Sequence, residues 1–179
     1  MGVGIFEDLI SLARSRLSEE LVAAGEVYAR AGDLERASYL LEILCQRKRK
    51  RYSNQLSKRI LELSGLAPIS FLSTAHRVTH EVQRTTKGNN HIYIILIDGF
   101  VKNDQPYGLY VGQTQRKVET RFRQHLSGGE TSARRSHRMK MLLPSLFEHL
   151  NPLSKPEALQ IEKILIERLN AAGIRTFGG

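Results

Sequence analysis

Cysteine is nearly absent from this 179-residue chain, in which Cys45 is the only one. A single cysteine excludes an internal disulfide and a zinc site built from cysteines, and it fits a reducing, cytoplasmic setting. Long apolar runs are missing too, since none approaches the roughly 20 residues that a bilayer-spanning helix needs. The first residues lack a basic segment, and Phe6 stands where a myristoylation signal needs Ser or Thr. We therefore expect no secretory signal, no lipid anchor and no membrane association.

Acidic residues are too few to balance the basic ones. The chain has 27 Lys and Arg against 18 Asp and Glu, which gives a net charge of +9. Such an excess favours a polyanionic partner, and nucleic acid is the first candidate. A ribosome, an anionic membrane surface or a simple contribution to solubility would also fit the charge. The hydrophobic fraction of 41% is that of an ordinary globular protein with a real core.

Residues 5–63 follow a helical pattern of apolar residues. Within them, residues 21–44 resemble a tetratricopeptide-like helical hairpin, with its glycine, aromatic, turn glycine and small packing residues at Gly25, Tyr28, Gly32, Ala37 and Leu41. Small residues at Gly25 and Ala37 would let two antiparallel helices approach closely. No second copy follows at the usual spacing of about 34 residues. We interpret the hairpin as an isolated packing unit, open to a protein partner or to self-association.

Five consecutive cations follow the hairpin. They cannot all face a core, so they form either a solvated helix end or a phosphate-contacting patch that adds salt-dependent affinity for nucleic acid. Both interpretations stay open at this point. The residues are Arg47, Lys48, Arg49, Lys50 and Arg51.

A boundary is expected after the helical part, where glycine and proline occur at residues 65–68. We predict a helical N-terminal domain over residues 1–66, a linker over 67–90 and a second domain over 91–179. The linker contains turn-forming residues at 85–90. It also contains His76 and His80, four apart, but no third metal ligand is in sight, so we expect surface or boundary histidines.

Two short tyrosine motifs open the second domain. His91-Ile92-Tyr93 begins an apolar, β-branched run that ends at residue 97. Tyr110-Val111-Gly112 lies at the end of a second predicted strand, over residues 108–111. The pattern predicts a β-hairpin. Each tyrosine taken singly is an ordinary strand residue.

A helix is predicted after the hairpin, beginning at Thr114. Arg121 and His125 lie one turn apart on the flank of its expected buried stripe of Val118, Phe122 and Leu126. A segment rich in cations follows, as a second candidate for nucleic-acid binding, and another short helix is expected over residues 141–150. The candidate binding residues of the segment are Arg134, Arg135, His137, Arg138 and Lys140.

The last helix, predicted over residues 155–171, carries a glutamate in its apolar stripe. Ala158 and Leu159 lie one turn before Glu162, and Leu165 and Ile166 lie one turn after it. A buried carboxylate without a partner is unfavourable, so Glu162 needs a cation. Either a metal ion or an arginine would serve, and a buried pair with Arg121 is the plain structural alternative.

In this order and spacing, these residues resemble the GIY-YIG nuclease family over residues 91–179. The resemblance implies an α+β fold, in which an all-helical N-terminal region precedes a short antiparallel sheet flanked by helices. It also implies a metal-dependent endonuclease that hydrolyses DNA, with double-stranded DNA as the expected substrate. By motif position, Tyr93, Tyr110, Arg121, His125 and Glu162 are the catalytic residues. Glu162 is the ligand of Mg²⁺ or Mn²⁺, and Gly112 of the second motif is expected against the nucleic acid.

The sequence departs from the family pattern at several positions. His91 replaces the first glycine, Gln113 stands where lysine or serine is common, and Asn170 comes early for the family's late asparagine. Tyr93, Tyr110 and His125 all remain candidates for the general base. The alternative function is a nucleic-acid-binding adaptor with a nuclease-like fold and little or no activity.

Overall fold

The computed structural model describes residues 5–99, 106–127 and 136–179. The chain divides into two compact units, Met1–Ser73 and Thr74–Gly179. The first unit is helical, and the second contains a four-stranded sheet with helices. The predicted α+β fold class is therefore confirmed. None of the helices described is long and apolar enough to cross a bilayer.

The first unit consists of consecutive helices joined by short turns. Asp33 caps the third helix by accepting a hydrogen bond from the backbone N–H of Arg36 at 3.0 Å. Gly65 ends the fourth helix in the left-handed conformation, with φ of 71°, as helix-terminating glycines often do. The helices are α1 (Ile5–Ser15), α2 (Ser18–Arg30), α3 (Leu34–Gln46) and α4 (Lys50–Ser64).

Gly25 of α2 marks a close approach between helices, but to a different helix from the one expected. A Cβ atom at Gly25 would lie only 2.6 Å from Cδ1 of Leu56, which belongs to α4. The helical pattern predicted a close approach at Gly25 within the hairpin of α2 and α3. A helical pattern identifies the buried face of a helix but not the neighbour that covers it, which is why the partner was wrong.

The five cations span the turn between α3 and α4 and the first two residues of α4, and we call this segment the cationic turn (residues 47–51). Lys48 adopts a positive φ of 55° and Arg49 precedes α4. Arg47 donates hydrogen bonds to the backbone carbonyls of Arg16, at 3.0 Å, and of Ala13, so it binds the C-terminal end of α1. The other four cations are exposed. Arg47 therefore has a structural role that the remaining cations of the turn do not share.

The second unit is organised around a mixed sheet with the strand order β3-β1-β2-β4. Strand β1 pairs antiparallel with β2 and β3, whereas β4 runs parallel to β2. The parallel edge strand was not predicted. The elements are α5 (Leu72–His80), which spans the division between the units, β1 (His91–Asp98), β2 (Tyr107–Thr114), α6 (Val118–Leu126), β3 (Met139–Leu142), α7 (Lys155–Ala171) and β4 (Thr176–Gly178).

The helix after the hairpin begins later than predicted and buries a different residue. Thr114 ends β2, and its hydroxyl accepts a hydrogen bond from the backbone N–H of Arg116 at 3.0 Å in the turn before α6. Leu126, expected in the core, is 52% exposed, whereas His125 is fully buried. The helix itself was predicted, but its buried face includes His125 in place of Leu126, because the His125 imidazole has a polar partner in Tyr93.

The short helix expected over residues 141–150 is absent from the described structure. Residues Met139–Leu142 instead form β3, and two single 3-10 turns follow at Pro144–Leu146 and Glu148–Leu150. Pro144 interrupts any continuous helix here, because it lacks an N–H and clashes with the preceding turn. Pairing with β1 decides the conformation of the residues before it.

The end of the predicted linker is bound to the start of α7. The backbone N–H groups of Thr85 and Thr86 donate to the carboxylate of Glu157 at 2.5 and 2.9 Å. Hydrogen bonds from Thr86 and Thr85 lower the pKa of Glu157 to about 2. The hydroxyl of Thr86 also accepts from the backbone N–H of Ser154 at 3.0 Å. The first turn of α7 is thus held from outside the helix.

The two histidines of α5 stack with a third. The rings of His76 and His80 lie 3.7 Å apart, and the ring of His149 follows at 3.8 Å from His80. In the three described ranges, no group of three or more His, Cys, Asp or Glu residues is arranged to hold a metal ion. His76 and His80 accordingly take part in ring stacking.

Candidate active site

Tyr93, on the central strand β1, lies at the centre of the candidate site. Its hydroxyl lies 2.9 Å from Nε2 of His125, which α6 presents to the sheet. Arg121, one turn earlier on α6, makes a side-chain hydrogen bond to Tyr93. Since a guanidinium can only donate, the tyrosine oxygen accepts from Arg121, while the direction of the Tyr93–His125 bond depends on the tautomer of the imidazole. Arg121 and His125 therefore meet at one hydroxyl group.

Tyr110 lies on the same face of the sheet as Tyr93. In the β1–β2 register, Tyr93 pairs with Gly112 and Ile95 pairs with Tyr110. Paired residues and their neighbours two positions away share a face, so the two tyrosines are diagonal neighbours. Their ring centroids are 6.2 Å apart, and the ring of Tyr110 lies 5.7 Å from that of His125.

Gly112 makes room for the ring of Tyr93. A Cβ atom at position 112 would lie 2.5 Å from the Tyr93 hydroxyl oxygen and 2.6 Å from its Cζ. Tyr93 is only 2% exposed and has little freedom to move aside. Glycine is thus required on β2 because an aromatic ring lies directly over it, which is a common reason for glycine inside a strand.

Glu162 approaches the site from α7. Its side chain is 8% exposed, as its place in the apolar stripe predicted, whereas Leu159, one turn earlier, is 51% exposed. The backbone N–H of Gly179 donates a hydrogen bond to its carboxylate. None of the ion pairs between described residues includes Glu162. The buried Arg121–Glu162 pair, considered as the plain structural alternative, is not among them.

Burial favours the uncharged form of each titratable group around Tyr93. It raises the pKa of Tyr93 above its ordinary value, and the Arg121 guanidinium only partly opposes the shift. Burial, followed by the nearby Glu162 carboxylate, also raises the pKa of Tyr110. The pKa of Glu162 is raised by burial, against the Gly179 hydrogen bond. Burial, reinforced by Arg121, lowers the pKa of His125 to about 4. At neutral pH His125 is therefore neutral and can accept a proton.

Two surface clefts meet at Gln113, at the end of β2. The first cleft, of about 410 Å³, is lined by the cations Arg116, Arg121 and Lys155 together with polar side chains. The second, of about 310 Å³, contains Glu162 and Gly179. One side of the site is thus suited to an anion, and the other presents a carboxylate.

The other predicted nucleic-acid contacts are not all grouped with the clefts. Arg134 and Arg135 lie outside the described residues, while His137 is exposed and Arg138 is half-buried. Lys140, on β3, forms an ion pair with Asp98 at 3.4 Å. Asp98 is five residues from Tyr93 along β1, which corresponds to about 17 Å in a strand. Lys140 is therefore paired with a carboxylate that is distant from Tyr93.

Arg116 and Lys155 line the cationic cleft, although no sequence pattern predicted them as residues of the site. Neither belongs to a motif, and Lys155 is 34 residues from Arg121 in the chain. Their only sequence signal was the general excess of basic residues. Asn170, which comes early for the family's late asparagine, has a structural contact. In the structure, the Asn170 amide donates to the Thr176 carbonyl at 2.9 Å and accepts from the Thr176 N–H at 3.1 Å, so it joins α7 to β4.

Comparison with known protein families identifies the class of the second unit. Residues 89–175 match the family model of the GIY-YIG catalytic domain. Residues 89–175 are therefore a GIY-YIG domain, which belongs to a nuclease-type hydrolase family and implies a nucleic-acid substrate. No curated protein and no solved structure gives a significant match to the chain.

Replacing Gly112 by alanine should displace the ring of Tyr93. The added methyl group would overlap the Tyr93 hydroxyl region, and overpacking of this kind destabilises by about 1–3 kcal/mol. We expect a lower free energy of unfolding in urea and loss of the Tyr93–His125 hydrogen bond. Combining Gly112→Ala with Tyr93→Ala removes the overlap, so the double mutant should lose less stability than the sum of the two single changes. Strict additivity would show that the ring does not lie over Gly112.

Proposed function

We propose that this protein is a metal-dependent endonuclease that hydrolyses phosphodiester bonds of double-stranded DNA. The observation that carries the proposal is that Arg121 and His125 meet at the Tyr93 hydroxyl, with the ring of Tyr110 beside them and the buried Glu162 in the neighbouring cleft. These side chains come from separate parts of the chain, and each has a use in phosphodiester hydrolysis. The reaction needs a base for the attacking water and positive charge where the phosphate becomes more negative.

His125 is the proton acceptor in this mechanism, and Tyr93 connects it to the water. The pKa of Tyr93 is raised by burial, so the tyrosine hydroxyl does not act as a permanently ionised base. A water molecule gives its proton to the Tyr93 oxygen as the Tyr93 proton moves to Nε2 of His125, 2.9 Å away. The water oxygen forms the new bond to phosphorus, and the bond to the leaving oxygen breaks. A neutral imidazole suits this role at ordinary pH.

Arg121 stabilises the phosphate as its negative charge increases. A guanidinium holds two oxygens in a planar fork, and it remains charged at any ordinary pH. Arg121 lines the cationic cleft and also binds the Tyr93 hydroxyl. It therefore links the position of the phosphate to the position of the proton relay.

Glu162 suits a divalent cation. It is a buried carboxylate outside the ion pairs between described residues, and it lines the second cleft. Mg²⁺ binds proteins through one or two carboxylates and keeps most of its waters, so a single glutamate is a sufficient protein ligand. Mn²⁺ fits the same oxygen donor. When bound there, the ion would supply positive charge to a phosphate oxygen.

A nuclease-like adaptor without activity remains the second candidate. Gln113 lies between the two clefts, where the family often has a lysine or serine, and the Asn170 amide is engaged with the backbone of Thr176. Gln113 thus replaces a side chain that an active member could use, and the Asn170 amide is already occupied by hydrogen bonds. The adaptor and the enzyme differ in whether Glu162 and Arg121 matter for cleavage.

Glu162→Gln should abolish cleavage without unfolding the protein. The substitution keeps the shape of the side chain and removes a buried negative charge, so the melting temperature should hold or rise in the absence of metal. The wild type should gain thermal stability from added Mg²⁺, and the variant should not. Plasmid cleavage with and without Mg²⁺ or Mn²⁺, together with thermal unfolding, measures both effects.

Two further variants complete this experiment. Arg121→Ala should also abolish cleavage, and Glu119→Gln, an exposed carboxylate on α6, should leave it unchanged. If Glu162 only supported the fold through a buried ion pair, Glu162→Gln would cost about 3–5 kcal/mol. A wild type that never cuts, together with such a loss, would favour the adaptor.

The pH dependence of cleavage should follow His125. A base must be neutral to accept a proton, so activity is present above the pKa of His125 and is lost as the pH falls through it. Because that pKa is lowered from 6.5 to about 4, kcat/KM should stay level between pH 8 and pH 6 and fall only below about pH 5. Circular dichroism at each pH excludes acid unfolding. An acid limb near 6.5 would contradict a buried neutral His125.

The helical unit contributes affinity for DNA in this proposal. Lys48, Arg49, Lys50 and Arg51 are exposed in the cationic turn, and the ion pairs between described residues do not include them. Cations at the first turn of a helix are unfavourably placed, because the N-terminal end of a helix is itself positive. An anionic phosphate beside α4 would relieve this repulsion.

Replacing the exposed cations of the turn with glutamine should weaken DNA binding and reduce its salt dependence. Each phosphate contact contributes about 0.9 to the slope of log Kobs against log salt concentration. The variant Lys48→Gln/Arg49→Gln/Lys50→Gln/Arg51→Gln keeps Arg47 and hence its bonds to α1. Fluorescence anisotropy with a labelled duplex, at several salt concentrations, measures the slope. An unchanged slope would show that the turn is only a solvated helix end.

A further inference from the structure

Lys155 is an unassigned cation beside the candidate active site. It is the first residue of α7 and is exposed, and it lines the cleft that also contains Arg116 and Arg121. Among the described residues that line this cleft there are three cations and no carboxylate. The charged residues of the lining are therefore all cationic, and the cleft is open enough, at about 410 Å³, to admit part of a nucleotide chain.

The position of Lys155 is unfavourable for the protein alone. A cation in the first turn of a helix is repelled by the positive end of the helix dipole. Lys155 is not a member of the ion pairs between described residues. Its charge therefore has no evident structural purpose, whereas a phosphate in the cleft would be attracted by Lys155 and the two arginines together.

The backbone that carries Lys155 is held in place. Thr86 binds both Ser154 and Glu157, which flank Lys155 by one and two residues, and Thr85 binds Glu157 as well. When a surface lysine on a fixed backbone binds a phosphate, only the conformational freedom of its side chain is lost. The bonds made by Thr85 and Thr86 thus position the first turn of α7 at the edge of the cleft.

Gln113 connects this cleft to the reacting centre. It lines both clefts, and Arg121 belongs at once to the cationic cleft and to the hydrogen bonds around Tyr93. A phosphate bound by Arg121 beside Tyr93 therefore lies in the cationic cleft. Lys155 and Arg116 line the same cleft, so their charges are available to the next phosphate along the strand.

On the basis of the proposed nuclease function, we propose that Lys155 and Arg116 form a subsite for the phosphate adjacent to the scissile one. The subsite makes the preferred substrate a polynucleotide chain with a phosphate on both sides of one nucleoside. Hydrolysis of an isolated phosphodiester gains nothing from it. Lys155 therefore favours internal positions of a strand over a diester without neighbouring phosphates.

The test uses the full chain with Lys155→Gln and, as a control on the same helix, Arg168→Gln, an exposed cation outside both clefts. Binding of a labelled duplex is followed by anisotropy in EDTA, so that no cleavage is required. Lys155→Gln should lower the salt slope by about 0.9. Raising the salt from 50 to 200 mM should then weaken DNA binding by the variant about threefold less than binding by the wild type. Arg168→Gln should lower it less, and the melting temperature of Lys155→Gln should hold or rise.

Cleavage of two substrates then separates this subsite from the reacting centre. For DNA, kcat/KM should fall about threefold or more with Lys155→Gln, mainly through KM. For bis(4-nitrophenyl) phosphate, which has one phosphodiester and no second phosphate, it should be unchanged. Equal losses on both substrates would place Lys155 at the scissile phosphate and overturn the proposal. An unchanged salt slope would overturn it as well. If the wild type binds DNA with the expected slope but cleaves neither substrate, the nuclease function is wrong, and the neighbouring-phosphate subsite is wrong with it. If the wild type cleaves DNA but Lys155→Gln behaves like Arg168→Gln, only the subsite is wrong.

Discussion

The candidate site depends on one close contact, that of the Tyr93 ring with Gly112 across two strands. Because position 112 has no Cβ atom, the ring can lie over β2 and carry its hydroxyl to within 2.9 Å of His125. Arg121 binds the same hydroxyl, so the two candidate site residues of α6 contact a single oxygen atom. The second motif therefore needs glycine for steric reasons, because a side chain there would displace the Tyr93 ring whose hydroxyl contacts Arg121 and His125.

Burial gives the site its electrostatic character. Tyr93, Tyr110 and Glu162 have raised pKa values and His125 a lowered one, so all four groups are biased toward their uncharged forms. Ligand charges act strongly in such surroundings, because little water screens them. An anion beside Arg121 and a cation beside Glu162 would each ease the binding of the other. The two clefts that meet at Gln113 fit this pairing of charges.

Much of the site could be predicted from the sequence, but the details of its surroundings could not. The motif residues Tyr93, Tyr110, Arg121 and His125 do come together, and Glu162 is buried as its apolar neighbours indicated. The face of α6 was misplaced because a buried histidine does not stand out in a hydrophobic pattern. Strands β3 and β4 were missed because each is short, and each forms only by pairing with a strand distant in the chain.

Local patterns in the sequence predicted the order of elements, helices first and then a hairpin with helices, and the burial of Glu162 on the last helix. Those properties follow from local periodicity and from turn residues, which act over a few positions. Tertiary packing was needed to show that Gly25 faces α4, that Asn170 joins α7 to β4, and that Lys155 shares a cleft with Arg116 and Arg121. Each of these contacts joins separate elements, and a repeating pattern specifies the buried side of an element without specifying its neighbour.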